Sequence, residues 1–378
     1  MTDRPIYPFT VTSRDVWRIA LPASLAFITE PLVGLTDITV IGRLGDVNLL
    51  GGLVLGALVF DFLFSLAYFL RMGTAGLTAQ AVGARDPRDG LLHASRAIVL
   101  AVIIGAAMIV LSVPLFWVAE TLLAAKGGIR EALATYFFIR IWGAPLVLIN
   151  YVMLGWFYGR AAATTGMALQ IVLHGVNIVS CVLFVYGFRW GVAGAGFGTL
   201  LGELIATLAG LVLFVRHFGG MRKLLGLIQP GELREIKALR RLVGLNRDLM
   251  IRSAALMSAY AWFAAQGSRM GEIALSANAV LLNQLMIVAY FLDGVAQAAE
   301  QLSGKALGAN WRPAFRSGLC AVLPLGLCDF ARAWAAVVFR RRCSDRADDH
   351  QRGGPAGGAQ LSLDRGARDA DLHAGLRL

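Results

Sequence analysis

Charge is scarce in this sequence. Asp, Glu, Lys and Arg make up 16% of its 378 residues, hydrophobic residues make up 57%, and the mean hydropathy is +0.65. A soluble domain of this length needs far more charge to keep its surface wet. Also missing is the strict apolar/polar alternation of barrel strands. Only helices and closed barrels satisfy their backbone hydrogen bonds in lipid, so an all-α, polytopic helical bundle follows. Cysteine is rare as well. Cys181, Cys320, Cys328 and Cys343 form no CxxC pair and have no histidines at zinc spacing, so no metal site is expected. The sequence holds no GxxxxGKS/T loop, no HExxH and no GxSxG. Those absences point away from ATP use and from an enzyme, and no cofactor is expected. Coupling to an ion gradient, H+ or Na+, is the default for such a bundle.

The net charge of +11 raises nucleic acid as a partner. The placement of the basic residues argues against it, because most lie in short connections between apolar segments, the pattern of cytoplasmic loop retention. The bilayer is the expected partner instead. Nine spans are predicted: Asp15–Ile41, Leu49–Val82, Leu92–Val118, Ala132–Tyr158, Ala161–Gly187, Gly191–Val215, Leu242–Gln266, Ala274–Glu300 and Ala314–Phe339. The polar start reads as leading into a first span that stays in the protein. Pro22, Pro31 and Gly34 predict a bend in that span.

Arg85 and Arg88 follow span two and Arg160 follows span four. A dense cluster, Arg222, Lys223, Arg234, Lys237, Arg240 and Arg241, follows span six. Loops on the other side carry fewer. This places the N-terminus in the cytoplasm and the protein in a bacterial inner membrane. The predicted organisation is a cytoplasmic N-terminus over 1–14, a six-helix lobe over 15–218, a basic linker over 219–241, an incomplete second lobe over 242–339 and a polar tail over 340–378.

The chain repeats itself. Gly42-Arg-Leu-Gly-Asp46 matches Ser268-Arg-Met-Gly-Glu272, and Gly83-Ala84-Arg85 matches Gly308-Ala309-Asn310. Both pairs follow corresponding spans, so a duplication is predicted. Six spans separate the copies, an even number, which makes the repeat parallel. A complete second copy needs three more spans. After Phe339 the composition turns to Arg, Asp, Gly and Ala and cannot cross lipid. A reading-frame shift near Leu327 is the hypothesis for this change, and the nucleotide sequence downstream of Leu327 tests it.

Ionisable groups inside spans are costly, which makes the few acids there candidates for function. They are Glu30 and Asp37 in span one, Asp61 in span two, Glu203 in span six, and Asp293 and Glu300 in span eight. Asp37 ranks first. Asn177 and Cys181 of span five and Thr199 of span six fall at a similar outer depth, and one acid with amide and hydroxyl groups at one level suits a proton or cation site. The bland reading of Asp37 is a helix-end acid wetted at the interface. For Asp61 it is a neutral acid or an ion pair with another span. For Glu203 it is pairing with an arginine, and for Asp293 and Glu300 pairing with Lys305 or a loop arginine. His174 reads as a packed side chain, and Arg71 as a residue that snorkels to the inner surface.

Several stretches resemble the multidrug and toxin extrusion (MATE) family. Pro31-Leu-Val-Gly-Leu-Thr-Asp37-Ile-Thr-Val-Ile-Gly-Arg-Leu-Gly45 is similar to its first-helix signature. Phe69–Arg85, Leu245–Ser253 and Asp293-Gly294 with Glu300 and Gly304 resemble the DinF-like branch. The resemblance runs from about Asp15 to Gly318. It implies twelve helices in two six-helix lobes around a central cavity, here with the second lobe incomplete. It also implies export of amphipathic or cationic small molecules in exchange for protons or sodium, by a protein expected to be monomeric. In the family the acid matching Asp37 is the coupling residue, paired with an Asn-x-x-x-Asp arrangement on the fifth helix. Asn177 fits that arrangement; Cys181 stands where the second acid is usual. Two further readings remain: a lipid-linked oligosaccharide flippase of a related branch, and a non-transporting remnant.

Overall fold

The computed structural model describes residues 5–227, 244, 247–269 and 272–318. These residues are nearly all helical. Thr12 starts the first helix with a reciprocal cap: its hydroxyl accepts from Asp15 N while its own N–H donates to the Asp15 carboxylate at 3.0 Å. Helix α1 (Ser13–Ile28) gives way at Thr29 to α2 (Glu30–Gly42), with Pro31 in the first turn of the new helix. Proline has no N–H to continue the ladder, so the predicted bend becomes a break. Span two breaks in the same manner, at Tyr68, into α3 (Val47–Ala67) and α4 (Phe69–Gly83). Asp46 and Asp86 cap the starts of α3 and α5 (Pro87–Val110) through the backbone N–H groups two and three residues on.

Helix α6 (Ser112–Leu123) lies outside the third span proper. Span four is α7 (Gly127–Arg140), one 3-10 turn, and α8 (Ala144–Gly159). Then come α9 (Ala163–Val182), ending in a π-turn, α10 (Val192–His217) and α11 (Met221–Leu227). Six of these segments are long and apolar enough to cross a membrane. Predicted spans seven and eight overlap α12 (Arg247–Arg269) and α13 (Glu272–Gly308), which are not among those six. Of span nine only residues 314–318 are described; the linker beyond Leu227 and the polar tail lie outside the described residues.

Small residues set the packing where apolar lipid supplies no hydrophobic drive between helices. Along α10, Gly198 and Gly202 face α9 so closely that a Cβ at either would lie 2.8 Å from backbone atoms of Cys181 and Leu173. Helix α13 lies against α1, where the Ser24 hydroxyl donates to Phe291 O at 3.1 Å, and against α4.

The α4–α13 contact carries the duplication. A Cβ at Gly83 would meet Lys305 O at 2.0 Å, and one at Gly308 would meet Gln80 O at 1.9 Å. The offset, 308 − 83 = 225, is also 305 − 80 = 225, so the two contacts are one contact seen from both copies. The caps match too. Ala84 N donates to Gln80 O and Asp86 N to Ala81 O; Ala309 N donates to Lys305 O and Trp311 N to Ala306 O. Arg85 and Asn310 both take positive φ, 57° and 51°. Matched C-terminal ends meeting each other require parallel copies related by a local two-fold axis, as the even span count implies.

The segment before α1 lies across these paired ends. Tyr7 N donates to Ala309 O at 3.0 Å, Arg85 stacks 4.6 Å over the Tyr7 ring, and Lys305 lies 4.6 Å over Phe9.

Candidate functional site

Two groups of polar side chains interrupt the apolar spans. The first lies where α2 meets α9. Asp37 is 7% exposed, and its Oδ1 has no hydrogen-bond partner among the described residues. The Cys181 thiol lies within interaction range of this carboxylate. Asn177 is one turn away on the same face of α9, fully buried, with both amide atoms unpartnered among the described residues. The Gly198 and Gly202 approaches hold Cys181 and Asn177 in place against α10. Thr199, also buried, turns its hydroxyl back to Ala195 O at 3.0 Å. The structure therefore sets Cys181 beside Asp37, while no hydrogen bond joins Asp37 to Asn177 or Thr199. The C-terminal end of α2 is tied to the same region by Tyr186, whose hydroxyl donates to Val40 O at 3.1 Å.

Arg140, at the end of α7, had no place among the sequence candidates. It forms an ion pair with Glu203, and its guanidinium lies 5.5 and 5.6 Å from the Phe60 and Phe64 ring centroids. Both charges are inside the bundle, so each removes much of the other's desolvation cost. This is the arginine pairing foreseen for Glu203. Arg140 also acts electrostatically on Asp37 and Asp61. The signal was available: Arg140 ends an aromatic run, Tyr136-Phe-Phe-Ile, within a span, and Glu203 is an opposite charge at mid-span.

The second group is contributed by α2, α3 and α13. Glu30, Asp61 and Asp293 have exposed side chains although each belongs to a span, and Glu300 is half-buried. Glu30 interacts through space with Asp61, Asp293 and Arg71. Among the described residues none of these acids is in an ion pair. The pairing expected of Asp293 and Glu300 with Lys305 is not found: Lys305 covers Phe9, and Glu300 accepts from Gln297 Nε2 at 3.3 Å.

Arg71 requires a correction. It does not snorkel to the surface but is 3% exposed, with its guanidinium 4.2 Å from the Phe27 ring centroid, 4.5 Å from Tyr68 and 5.7 Å from Tyr158. The break at Tyr68 turns the start of α4 inward, and ring faces from α1 and α8 complete a cage that favours a cation. His174 is buried, and neither ring nitrogen has a partner among the described residues.

Beside the α4–α13 crossing is a cavity of about 420 Å³, lined by Met72, Leu77, Gln80, Leu249, Ala296 and Glu300 among others. Apolar walls with one carboxylate suit an amphipathic cation better than a strongly hydrated ion. Among the described residues no three His, Cys, Asp or Glu side chains are grouped to hold a metal.

Comparison with known proteins agrees with this architecture. Residues 22–183 match the MatE family. DNA damage-inducible protein F of Escherichia coli K12 is 38% identical over 323 residues, covering 83% of this chain and 70% of that protein. Multidrug export protein MepA of Staphylococcus aureus is 22% identical over 219 residues, 57% of this chain and 49% of MepA. The chain thus spans about half of that second relative. Among solved structures, a MATE in complex with MaD5 superposes with a TM-score of 0.78 at 20% identity, over 86% of this chain and 73% of that one. A multidrug resistance MATE family transporter of the MOP superfamily in an outward-facing conformation gives 0.76 at 19% identity, over 89% and 76%.

Proposed function

We propose, from the premise that the chain belongs to the MATE family of membrane transporters, that it exports amphipathic or cationic small molecules by antiport with H+ or Na+. One observation supports this most directly: Glu30, Asp61 and Asp293 are exposed and in no ion pair among the described residues, while a separate acid, Asp37, is buried beside Cys181. Exposed acids attract a cationic cargo without having to change state. A buried acid differs, because taking a carboxylate out of water favours its neutral form, so its charge can follow a proton gradient. Neutralising Asp37 removes its attraction to Arg140 and weakens its hydrogen bond with Cys181, and the break at Thr29–Pro31 gives α2 a hinge on which to move. Only unequal affinity of the coupling ion for two states can drive such a change. The relatives are consistent with the cargo class, one of them being named a multidrug export protein.

The proposal places the protein in a bacterial inner membrane, multi-pass and monomeric, with its N-terminus in the cytoplasm. The α4–α13 crossing then closes the cytoplasmic side. Reconstitution of the 378-residue chain in proteoliposomes, with dye efflux and internal pH followed together, tests the reading. An imposed proton or sodium gradient is expected to drive efflux, and Asp37→Asn to abolish the coupling. Coupled efflux by Asp37→Asn would remove Asp37 from the mechanism. No efflux by the wild type under either gradient would favour the non-transporting remnant.

Arg71 is the observation that keeps a second reading. A buried guanidinium with no carboxylate in ion-pair range among the described residues suits a phosphate-bearing cargo, as flipping of a lipid-linked oligosaccharide requires. Competition of such a lipid with dye efflux, lost in Arg71→Gln, would favour it.

A further inference from the structure

A second polar cavity lies outside the transport site. The ends of α4, α8 and α10 and the start of α5 enclose about 230 Å³ on the side of the bundle that carries the N-terminal segment. Arg85, Arg160 and His217 line it, together with Trp156, Phe218 and Asp86. One oxygen of the acid caps α5, since Asp86 Oδ1 accepts from Arg88 N and Asp89 N, each at 3.0 Å, and its single charge is outnumbered by the two arginines.

Arg160 is the half-buried member. Its guanidinium stacks 4.5 Å from the Trp156 ring centroid, and that ring also packs edge-on to His217 at 5.3 Å. Stacking fixes the guanidinium plane and leaves its N–H edge available as a fork. No carboxylate among the described residues is within ion-pair distance of it, and partial burial pushes its pKa below the ordinary arginine range. Arg85 contributes a second basic side chain to the lining, with a left-handed backbone at φ 57° and its guanidinium over the Tyr7 ring. The pocket is therefore positive, partly enclosed and supplied with donors but few free acceptors.

We propose that this pocket binds a phosphate group, from an anionic phospholipid headgroup or from a soluble phosphate compound. Paired guanidinium forks match phosphate oxygens in geometry as well as charge. The pocket lies at the ends of four spans, the level at which headgroups lie, with Trp156 and Phe218 forming its apolar floor. An occupant would link α4, which carries the crossing to α13, to α8 and α10. The proposal does not depend on which cargo the protein carries.

The test uses the 378-residue chain in nanodiscs of phosphatidylcholine alone, of phosphatidylcholine with phosphatidylglycerol, and of phosphatidylcholine with inorganic phosphate in the buffer. Thermal stability and the lipid retained in native mass spectra are the readouts. Phosphatidylglycerol is expected to stabilise the wild type and to stay bound. Arg85→Gln/Arg160→Gln should bind it roughly tenfold or more weakly, as loss of charge-assisted forks implies. Arg18→Gln, an exposed charge outside the pocket, should not. Stabilisation by inorganic phosphate alone, with the same sensitivity to the double variant, would assign the soluble source. Equal retention by the double variant and the wild type, or an equal loss in Arg18→Gln, overturns the proposal. Should the double variant fail to fold, Arg85→Gln alone and a photoactivatable phosphatidylglycerol on the wild type decide. Labelling must then fall on residues 156–160 or 214–218, and labelling elsewhere overturns it.

Discussion

Alanine at Gly83 and at Gly308 tests the duplicated crossing of α4 and α13 quantitatively. Each new methyl would lie 2.0 or 1.9 Å from a backbone carbonyl oxygen of the other helix. An ordinary carbon–oxygen contact needs about 3.4 Å, so the helices must part by roughly 1.4–1.5 Å. No side-chain rotation relieves a clash with backbone. Overpacking of this kind costs about 1–3 kcal/mol, against about 1 kcal/mol gained because alanine is the better helix former. Each single variant should therefore lose up to about 2 kcal/mol. The two contacts are related by symmetry at one crossing, so a single separation relieves both. The double variant should cost little more than the worse single one, with a coupling of about the size of one single effect. Thermal melting in detergent measures all three against Gly175→Ala, where nothing lies within 4 Å of the new methyl and no loss is expected. Gly83→Ala and Gly308→Ala behaving like Gly175→Ala, or strict additivity in the double variant, would refute the reciprocal contact.

Three other expectations follow from particular side chains. Arg140→Gln leaves Glu203, 3% exposed, without its counter-charge and should destabilise the protein by about 3–5 kcal/mol; adding Glu203→Gln should recover much of that in the same melting assay. Asp61→Asn and Asp293→Asn should weaken cationic dye binding while efflux keeps its ion dependence, whereas Asp37→Asn should bind dye and lose that dependence. Equilibrium dye binding and gradient-driven efflux, measured on the same vesicles, separate the two outcomes. Tyr7→Ala and Phe9→Ala each remove a cation–π contact, with Arg85 and Lys305 respectively, worth about 0.5–1 kcal/mol. Faster hydrogen exchange over residues 5–12, with the spans unchanged, is the expected signature.

Spans one to six were legible because hydropathy and length are decided locally. Pro31 marked the break in span one, and the repeated Gly-Ala pairs at Gly83 and Gly308 marked the duplication, though not that the two ends meet each other. The break at Tyr68 had no such marker, since no proline or glycine sits there. That omission led to the misreading of Arg71. Counted from the end of an unbroken helix it looks able to reach water; with the helix broken, it turns toward Phe27 and Tyr158, rings supplied by helices distant in sequence. Depth counting put Asp37, Asn177, Cys181 and Thr199 at one level, but depth says nothing of rotation about a helix axis. Thr199 shows the difference, because its hydroxyl is satisfied by its own helix.

The two buried arginines are compensated by different means, and the difference bears on what the remaining acids can do. Arg140 is matched by Glu203, and that pair has little reason to change its charge while both partners stay inside. Arg71 is matched by aromatic faces, which stabilise a cation without using up a carboxylate. Had Arg71 been placed in an ion pair with Glu30 or Asp293, this group would have lost an acid and with it part of its negative field. Caging the guanidinium instead keeps a fixed positive charge near Glu30 while leaving Glu30, Asp61 and Asp293 unpaired among the described residues. Asp37 stands apart from this group, buried beside a thiol that carries no charge as long as it stays protonated. In the proposed antiport, the acids that hold cargo and the acid that follows the ion gradient are thus distinct groups in distinct surroundings. Arg140, whose charge acts on both Asp37 and Asp61, is an electrostatic neighbour the two have in common.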